Sequence, residues 1–277
     1  MLEAIFLGIV QGLTEFLPIS SSAHIRFLGE FLPSAQDPGA TFTAIMQIGT
    51  EIAVLLYFRR DILKIAHALI RRIFGVKFEP GSPEAKDVRL GILIAVGSLP
   101  IFFLGYFGQS YIRENFRSLW LIAATLIIFG LLLGLLDYIG RKDKDLDQLN
   151  SKDGLLYGLA QSLALIPGVS RSGATIAMGR TLGYTRDAAL RYSFLLAIPA
   201  VLGSGTYELL NSFSEDTNTF SLVETTVATV TAFVIGYAVI AWLMKFVQTK
   251  SFMPFVVYRV LLGSLILVLL STGTISA

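Results

Sequence analysis

Residues 118–137 read SLWLIAATLIIFGLLLGLLD, with no charge before the final aspartate and no alternation of apolar and polar side chains. A run of about 20 such residues crosses, as a helix, a hydrocarbon core roughly 30 Å thick. In lipid only helices and closed barrels satisfy their own backbone polar groups, and barrel strands alternate. The stretch therefore predicts a transmembrane helix. Working outward, comparable runs at about 41–58, 88–107, 188–208, 222–247 and 253–272 bring the expected number of full spans to six. Composition agrees: 54% of the 277 residues are hydrophobic and 15% are charged. The mean hydropathy is +0.68. A soluble domain of this length carries far more charge.

Two hydrophobic regions do not read as simple spans. Residues 1–33 are broken by Pro18 and Ser20–Ser21–Ser22, and residues 154–183 by Pro167–Gly168 and Ser170–Arg171–Ser172. Each half is too short to cross alone. Each region is expected to form a re-entrant helical hairpin, entering and leaving by one face, its turn covered by protein or a wet cavity. The N-terminal stretch MLEAIFLGIVQGLTEF lacks a basic leader and a small-residue cleavage site, so it is expected to remain in the mature chain.

Loop charge sets an orientation. Eight Lys/Arg and four acids lie from Arg59 to Arg89, which predicts a cytoplasmic loop. Arg141, Lys142, Lys144 and Lys152 fall on the same side, as do Lys245 and Lys250. The segment with Glu215 and Asp216 carries no base and faces outward; the short outer loop with Arg113 and Arg117 goes against the rule.

The broken regions also match at a fixed offset of 150. Gln11 pairs with Gln161, Ser20 with Ser170, Ser22 with Ser172, Phe42-Thr43 with Tyr192-Ser193 and Ile48 with Ile198. Residues 1–137 and 154–272 then form two repeats joined by 138–153. Each repeat is a broken pair followed by three spans. Three is odd, so the second repeat enters from the opposite face. The fold expected is an all-α integral membrane protein: six spans and two re-entrant hairpins in inverted-topology repeats, the polar turns meeting near the midplane.

Chemistry must come from polar groups inside this apolar frame. There is no cysteine, and only His24 and His67 represent histidine, so disulfides, thiolate chemistry and multi-His metal sites are excluded or nearly so. Gln11 and Glu15, four apart, share a helix face and could hold a cation or steer a water. Ser20, Ser21, Ser22 and His24 follow Pro18; serines at a helix start suit an anion. Ser21 and His24 are three apart and could touch, the minimum for an activated nucleophile; His24 itself could also attack. In PGVSRSGAT, residues 167–175, Ser170, Ser172 and Thr175 offer hydroxyls, and Arg171 offers a fork that grips phosphate. The blander reading of Arg171 is an internal ion pair, with Glu15 as partner. Glu51, within MQIGTEIAVLLYF, has no assigned role.

QGLTEFLPISSSAH (11–24) and PGVSRSGAT together resemble the undecaprenyl pyrophosphate phosphatases, the bacitracin-resistance family. The resemblance covers the whole chain. It implies that Glu15 and Gln11 bind a divalent cation or position the attacking group, and that Ser21 and His24 are nucleophile and partner. It implies that Arg171, with Ser170 and Thr175, binds the pyrophosphate; Ser20, Ser22 and Ser172 complete the expected anion site. It further implies Mg²⁺ or Ca²⁺ as cofactor and a prenyl pyrophosphate lipid as substrate, in the bacterial inner (plasma) membrane, recycling the carrier lipid of cell-wall synthesis. Gln11 stands where some members carry Glu, which weakens a metal site built on Gln11 and Glu15 alone. The expected reaction is in-line displacement at the terminal phosphorus, by Ser21, by His24 or by water, in a cavity open to the outer face. Membrane lipids are expected neighbours, nucleic acid is not, and a homodimer is compatible with the sequence. The rival reading is a transporter or flippase of an anionic solute or lipid phosphate, which uses the same repeat design.

Overall fold

The computed structural model describes residues 1–32, 40–116, 118–141, 143–212 and 220–276. These form eleven helices: α1 (Leu2–Thr14), α2 (Ser21–Gly29), α3 (Ala40–Tyr57), α4 (Arg59–Ile73), α5 (Pro83–Asn115), α6 (Leu119–Ile139), α7 (Ser151–Ser162), α8 (Arg171–Thr181), α9 (Arg186–Ser212), α10 (Leu222–Thr249) and α11 (Met253–Ser271). No strand occurs among the described residues. Five helices are long and apolar enough to cross a membrane by themselves: α5, α6, α9, α10 and α11. The expected span at 41–58 counts as the sixth only together with α4, from which it is bent by 79°.

The charged segment after Arg59, expected as a loop, begins with a helix. In α4 the buried Ile65 and Ala68 lie on one face, while Arg59, Arg60 and Lys64 are exposed. The bases that mark topology hid an amphipathic period. The span expected at 88–107 runs from Pro83 to Asn115, started by Ser82, whose Oγ accepts from the Ala85 amide at 3.2 Å. Arg117, Lys142, Glu215 and Asp216 lie outside the described residues.

Both broken regions are pairs of short helices around a polar turn. α1 stops at Thr14 and α2 restarts at Ser21; α7 stops at Ser162 and, after a 3-10 turn at Leu163–Leu165, α8 restarts at Arg171. Ser20 (φ 72°) and Ser170 (φ 71°) are the two non-glycine residues in the left-handed region among those described, and they are the matched pair of the sequence repeat.

Close packing sets where these pairs sit. α1 lies on α10 and α7 on α5. A Cβ on Gly8 would come within 2.6 Å of the Ala228 carbonyl oxygen, and one on Gly158 within 2.2 Å of that of Gly97. Only glycine permits both approaches, and these positions too are 150 apart. Phe16, beside Glu15, wedges edge-on against Phe194 of α9 with ring centroids 5.4 Å apart, which anchors the first turn.

Candidate active site

The first turn presents a carboxylate. Gln11 Nε2 donates to Glu15 Oε2 at 2.7 Å, and Ser21 Oγ donates to the same oxygen at 2.5 Å. The other oxygen, Oε1, forms an ion pair with Arg171, which comes from the second turn. Helix periodicity places Gln11 over Glu15, and the reversal after Pro18 returns Ser21 to it. One carboxylate thus joins α1, the start of α2 and the start of α8.

The serines around it tie each turn. Ser20 and Ser22 hydroxyls lie 3.2 Å apart, and those of Ser170 and Ser172 3.1 Å. Ser170 Oγ caps α8 by accepting from Gly173 N at 3.2 Å, and Ser172 Oγ donates across to the Leu17 carbonyl at 3.2 Å. Both helix starts carry N–H groups with no intrahelical partner, and their dipoles add positive potential.

A cavity of about 550 Å³ opens over this junction. Glu15, Ser20, Ser21, Ser22, Ser170 and Arg171 line its polar end. Phe102, Tyr106 and Val201 are among its apolar walls from α5 and α9, and Gln47 and Glu208 also line it. The sequence-predicted residues divide accordingly. Glu15, Ser20, Ser21, Ser22, Ser170 and Arg171 share the cavity, whereas Gln11, His24, Ser172 and Thr175 are not on its wall. Thr175 is buried, donates to the Arg171 carbonyl at 2.8 Å and meets the Ser193 hydroxyl, so it acts within the packing of α8 on α9.

His24 makes no hydrogen bond to Ser21 among the described residues. Its Nδ1 lies 2.7 Å from the Ser20 carbonyl, and its Nε2 2.7 Å from the Tyr258 hydroxyl. A carbonyl only accepts, so Nδ1 carries a hydrogen. The ring stacks on Tyr258 at 5.5 Å between centroids. Arg171 makes the ion pair with Glu15 that the blander reading expected, and it also lines the cavity. Glu51 is buried, and neither of its oxygens has a hydrogen-bond partner among the described residues.

Comparison with known proteins decides the family. The bacitracin resistance protein BacA family matches residues 4–265. The chain belongs to the BacA family. Among its relatives, the undecaprenyl-diphosphatase of Micrococcus luteus is 58% identical over 278 residues, covering 100% of this chain and 99% of the relative. Undecaprenyl-diphosphatase 2 of Agrobacterium fabrum is 58% identical, covering 100% and 98%. The undecaprenyl-diphosphatase of Paenarthrobacter aurescens is 55% identical, covering 100% and 99%.

The divalent cation implied for a BacA chain can be tested against the donors present. No three His, Cys, Asp or Glu side chains group as ligands among the described residues. Gln11 turns its NH₂ toward Glu15, since the reverse amide would set oxygen against carboxylate, and both Glu15 oxygens already accept hydrogen bonds. The contact between Gln11 and Glu15 is thus an N–H to an oxygen, not two oxygens facing one point, while Gln11 Oε1 is buried with no hydrogen-bond partner among the described residues. Gln11 is a donor that orients Glu15.

Sequence reasoning missed Arg259 and Tyr258 of α11. Arg259 is fully buried and bonds carbonyls of both turns. Its signal was available: an arginine within an apolar span is costly and marks an interior role.

Proposed function

We propose that this BacA-family chain is a multi-pass membrane phosphatase that hydrolyses undecaprenyl pyrophosphate to undecaprenyl phosphate and phosphate. The observation that carries the reading is one carboxylate, Glu15, held at once by the hydroxyl of Ser21 and the guanidinium of Arg171 at the polar end of an apolar-walled cavity. In this reading Ser21 Oγ attacks the terminal phosphorus and its proton passes to Glu15 Oε2, already its acceptor. The bond to the bridging oxygen breaks, and undecaprenyl phosphate leaves. The proton on Glu15 passes to the departing undecaprenyl phosphate. Water then attacks the phosphoserine and gives its proton to the freed Glu15 carboxylate, which returns it to Ser21 Oγ as the bond from that oxygen to phosphorus breaks and phosphate leaves. Arg171 and the N–H groups at the starts of α2 and α8 stabilise charge developing on the phosphoryl oxygens. The apolar walls take the first isoprene units of the tail.

Ser21 is preferred to His24 because its hydroxyl has a base within reach, while both imidazole nitrogens are engaged elsewhere. The outward orientation has support of its own. The cavity reaches Ala44 and Glu208, near the α3 start and the α9 end, which loop charge assigns to the outer face. A Mg²⁺ or Ca²⁺ requirement belongs to the same proposal, without Gln11 and Glu15 as its cage.

The test is phosphate release by purified protein from a prenyl pyrophosphate, with a trapped phosphoenzyme mapped by mass spectrometry. Phosphate release with label on Ser21 is expected. Absence of phosphate release, with solute or lipid phosphate moved across vesicles, would replace the proposal with the transporter reading.

A further inference from the structure

Arg259 lies in the second turn of α11 and is fully buried. No described carboxylate pairs with it. All its hydrogen bonds go to backbone carbonyls: Nη1 to Pro18 at 3.0 Å, Nη2 to Gly168 at 2.9 Å, to Val169 at 3.1 Å and to Thr125 at 3.3 Å, and Nε to Leu126 at 3.1 Å. Pro18 and Gly168 occupy matched positions of the two turns, again 150 apart. Burying an unpaired guanidinium is costly and persists where the geometry over-determines it.

The peptide plane adds a consequence. In a trans peptide the C=O and N–H point oppositely. With the Val169 carbonyl drawn to Arg259, the Ser170 N–H points away from it, and Ser170 lines the cavity. Glu15 is paired with Arg171, and Arg259 brings a second positive charge with no ion-pair partner among the described residues. We propose that Arg259 is a positioning residue of the anion site. One planar fork bonds equivalent carbonyls of both turns, holds them at the separation that a single pyrophosphate bridges, and keeps a standing positive charge behind them. This rests on the reading of the cavity as a pyrophosphate site.

The experiment compares parent, R259K and R259M in detergent by thermal unfolding. Binding of inorganic pyrophosphate, binding of farnesol, and turnover of farnesyl pyrophosphate are measured on the same samples. Lysine keeps the charge but lacks a fork that spans both turns, so R259K should weaken pyrophosphate binding at least about tenfold and leave farnesol binding within about twofold. Its kcat/KM should fall mainly through KM. R259M, lacking the charge as well, should weaken pyrophosphate binding about a further tenfold. Equal weakening of pyrophosphate and farnesol, parent-like pyrophosphate binding by R259K, or failure of R259K to fold would each overturn the proposal, the last because it makes Arg259 a scaffold. If the parent binds pyrophosphate but releases no phosphate, the phosphatase reading fails while the Arg259 comparison still stands on binding.

Discussion

At the scale of single residues, the division of labour around Glu15 makes distinct expectations. If Ser21 attacks as proposed, Ser21→Ala should lower kcat by at least about 10³-fold, and Glu15→Gln by about 10²–10⁴-fold, with pyrophosphate still bound. His24 hydrogen-bonds to Ser20 rather than to Ser21, so its effect should come through backbone position. His24→Gln, which can still donate to the Ser20 carbonyl, should recover part of the activity lost in His24→Ala; equal loss in both would argue for proton transfer by the imidazole. Gln11→Ala should lower kcat by loosening Glu15, yet leave the Mg²⁺ or Ca²⁺ concentration for half-maximal activity within about twofold. A large shift in that midpoint would restore Gln11 as a ligand. The residues at the polar end of the cavity were legible because they cluster in two short motifs with few structural explanations; the walls from α3, α5 and α9 were not. Spacing alone did not reveal which partner Ser21 takes. Three residues apart on a helix makes Ser21–His24 contact feasible, but the reversal at Pro18 delivers Glu15 to Ser21 first.

At the scale of elements, the long uninterrupted helices were legible because hydropathy over some twenty residues leaves few alternatives. α4 was not, because a run of bases obscured its buried Ile65 and Ala68. A second buried network also escaped notice. Asp137, at the end of α6, accepts from Arg180 Nε at 3.0 Å, from Arg186 at 2.7 and 2.9 Å and from the Phe252 amide at 3.2 Å. It thereby ties α6 to α8, to α9 and to the start of α11. Read linearly, Asp137 is the last residue of an apolar run and Arg180 a base in a short helix; only their convergence gives them meaning. Asp137→Ala leaves Arg180 buried without its acid and should destabilise the protein by about 3–5 kcal/mol. Thermal unfolding in detergent reads this directly. A shift near zero would mean that the carbonyls of Gly140 and Arg141, which also accept from Arg180, suffice alone.

At the scale of the whole molecule, two-fold correspondence runs through independent features: the left-handed Ser20 and Ser170, the close-packed Gly8 and Gly158, and the Pro18 and Gly168 carbonyls on one guanidinium. We propose on this basis that the halves are inverted repeats, the arrangement that most of the loop charge favours. Polar contacts sort into two groups in the same sense. The Met1 amine pairs with Glu224, Ser276 donates to Glu30 and Thr41 donates to Glu208, all at ends assigned outward. Asp61 pairs with Arg191, Lys86 with Asp147 and Lys144 with Asp153, all at ends assigned to the cytoplasm. A parallel arrangement would put positions 2 and 143, which flank the starts of the two broken pairs, on one face; inversion puts them on opposite faces. Because the chain has no cysteine, single Cys substitutions report this without background. Leu2→Cys and Ser276→Cys should react with a membrane-impermeant maleimide on intact cells. Lys77→Cys and Asp143→Cys should react only after permeabilisation. Labelling of positions 2 and 143 from the same side would remove the inverted arrangement, and with it the placement of the cavity mouth on the outer face.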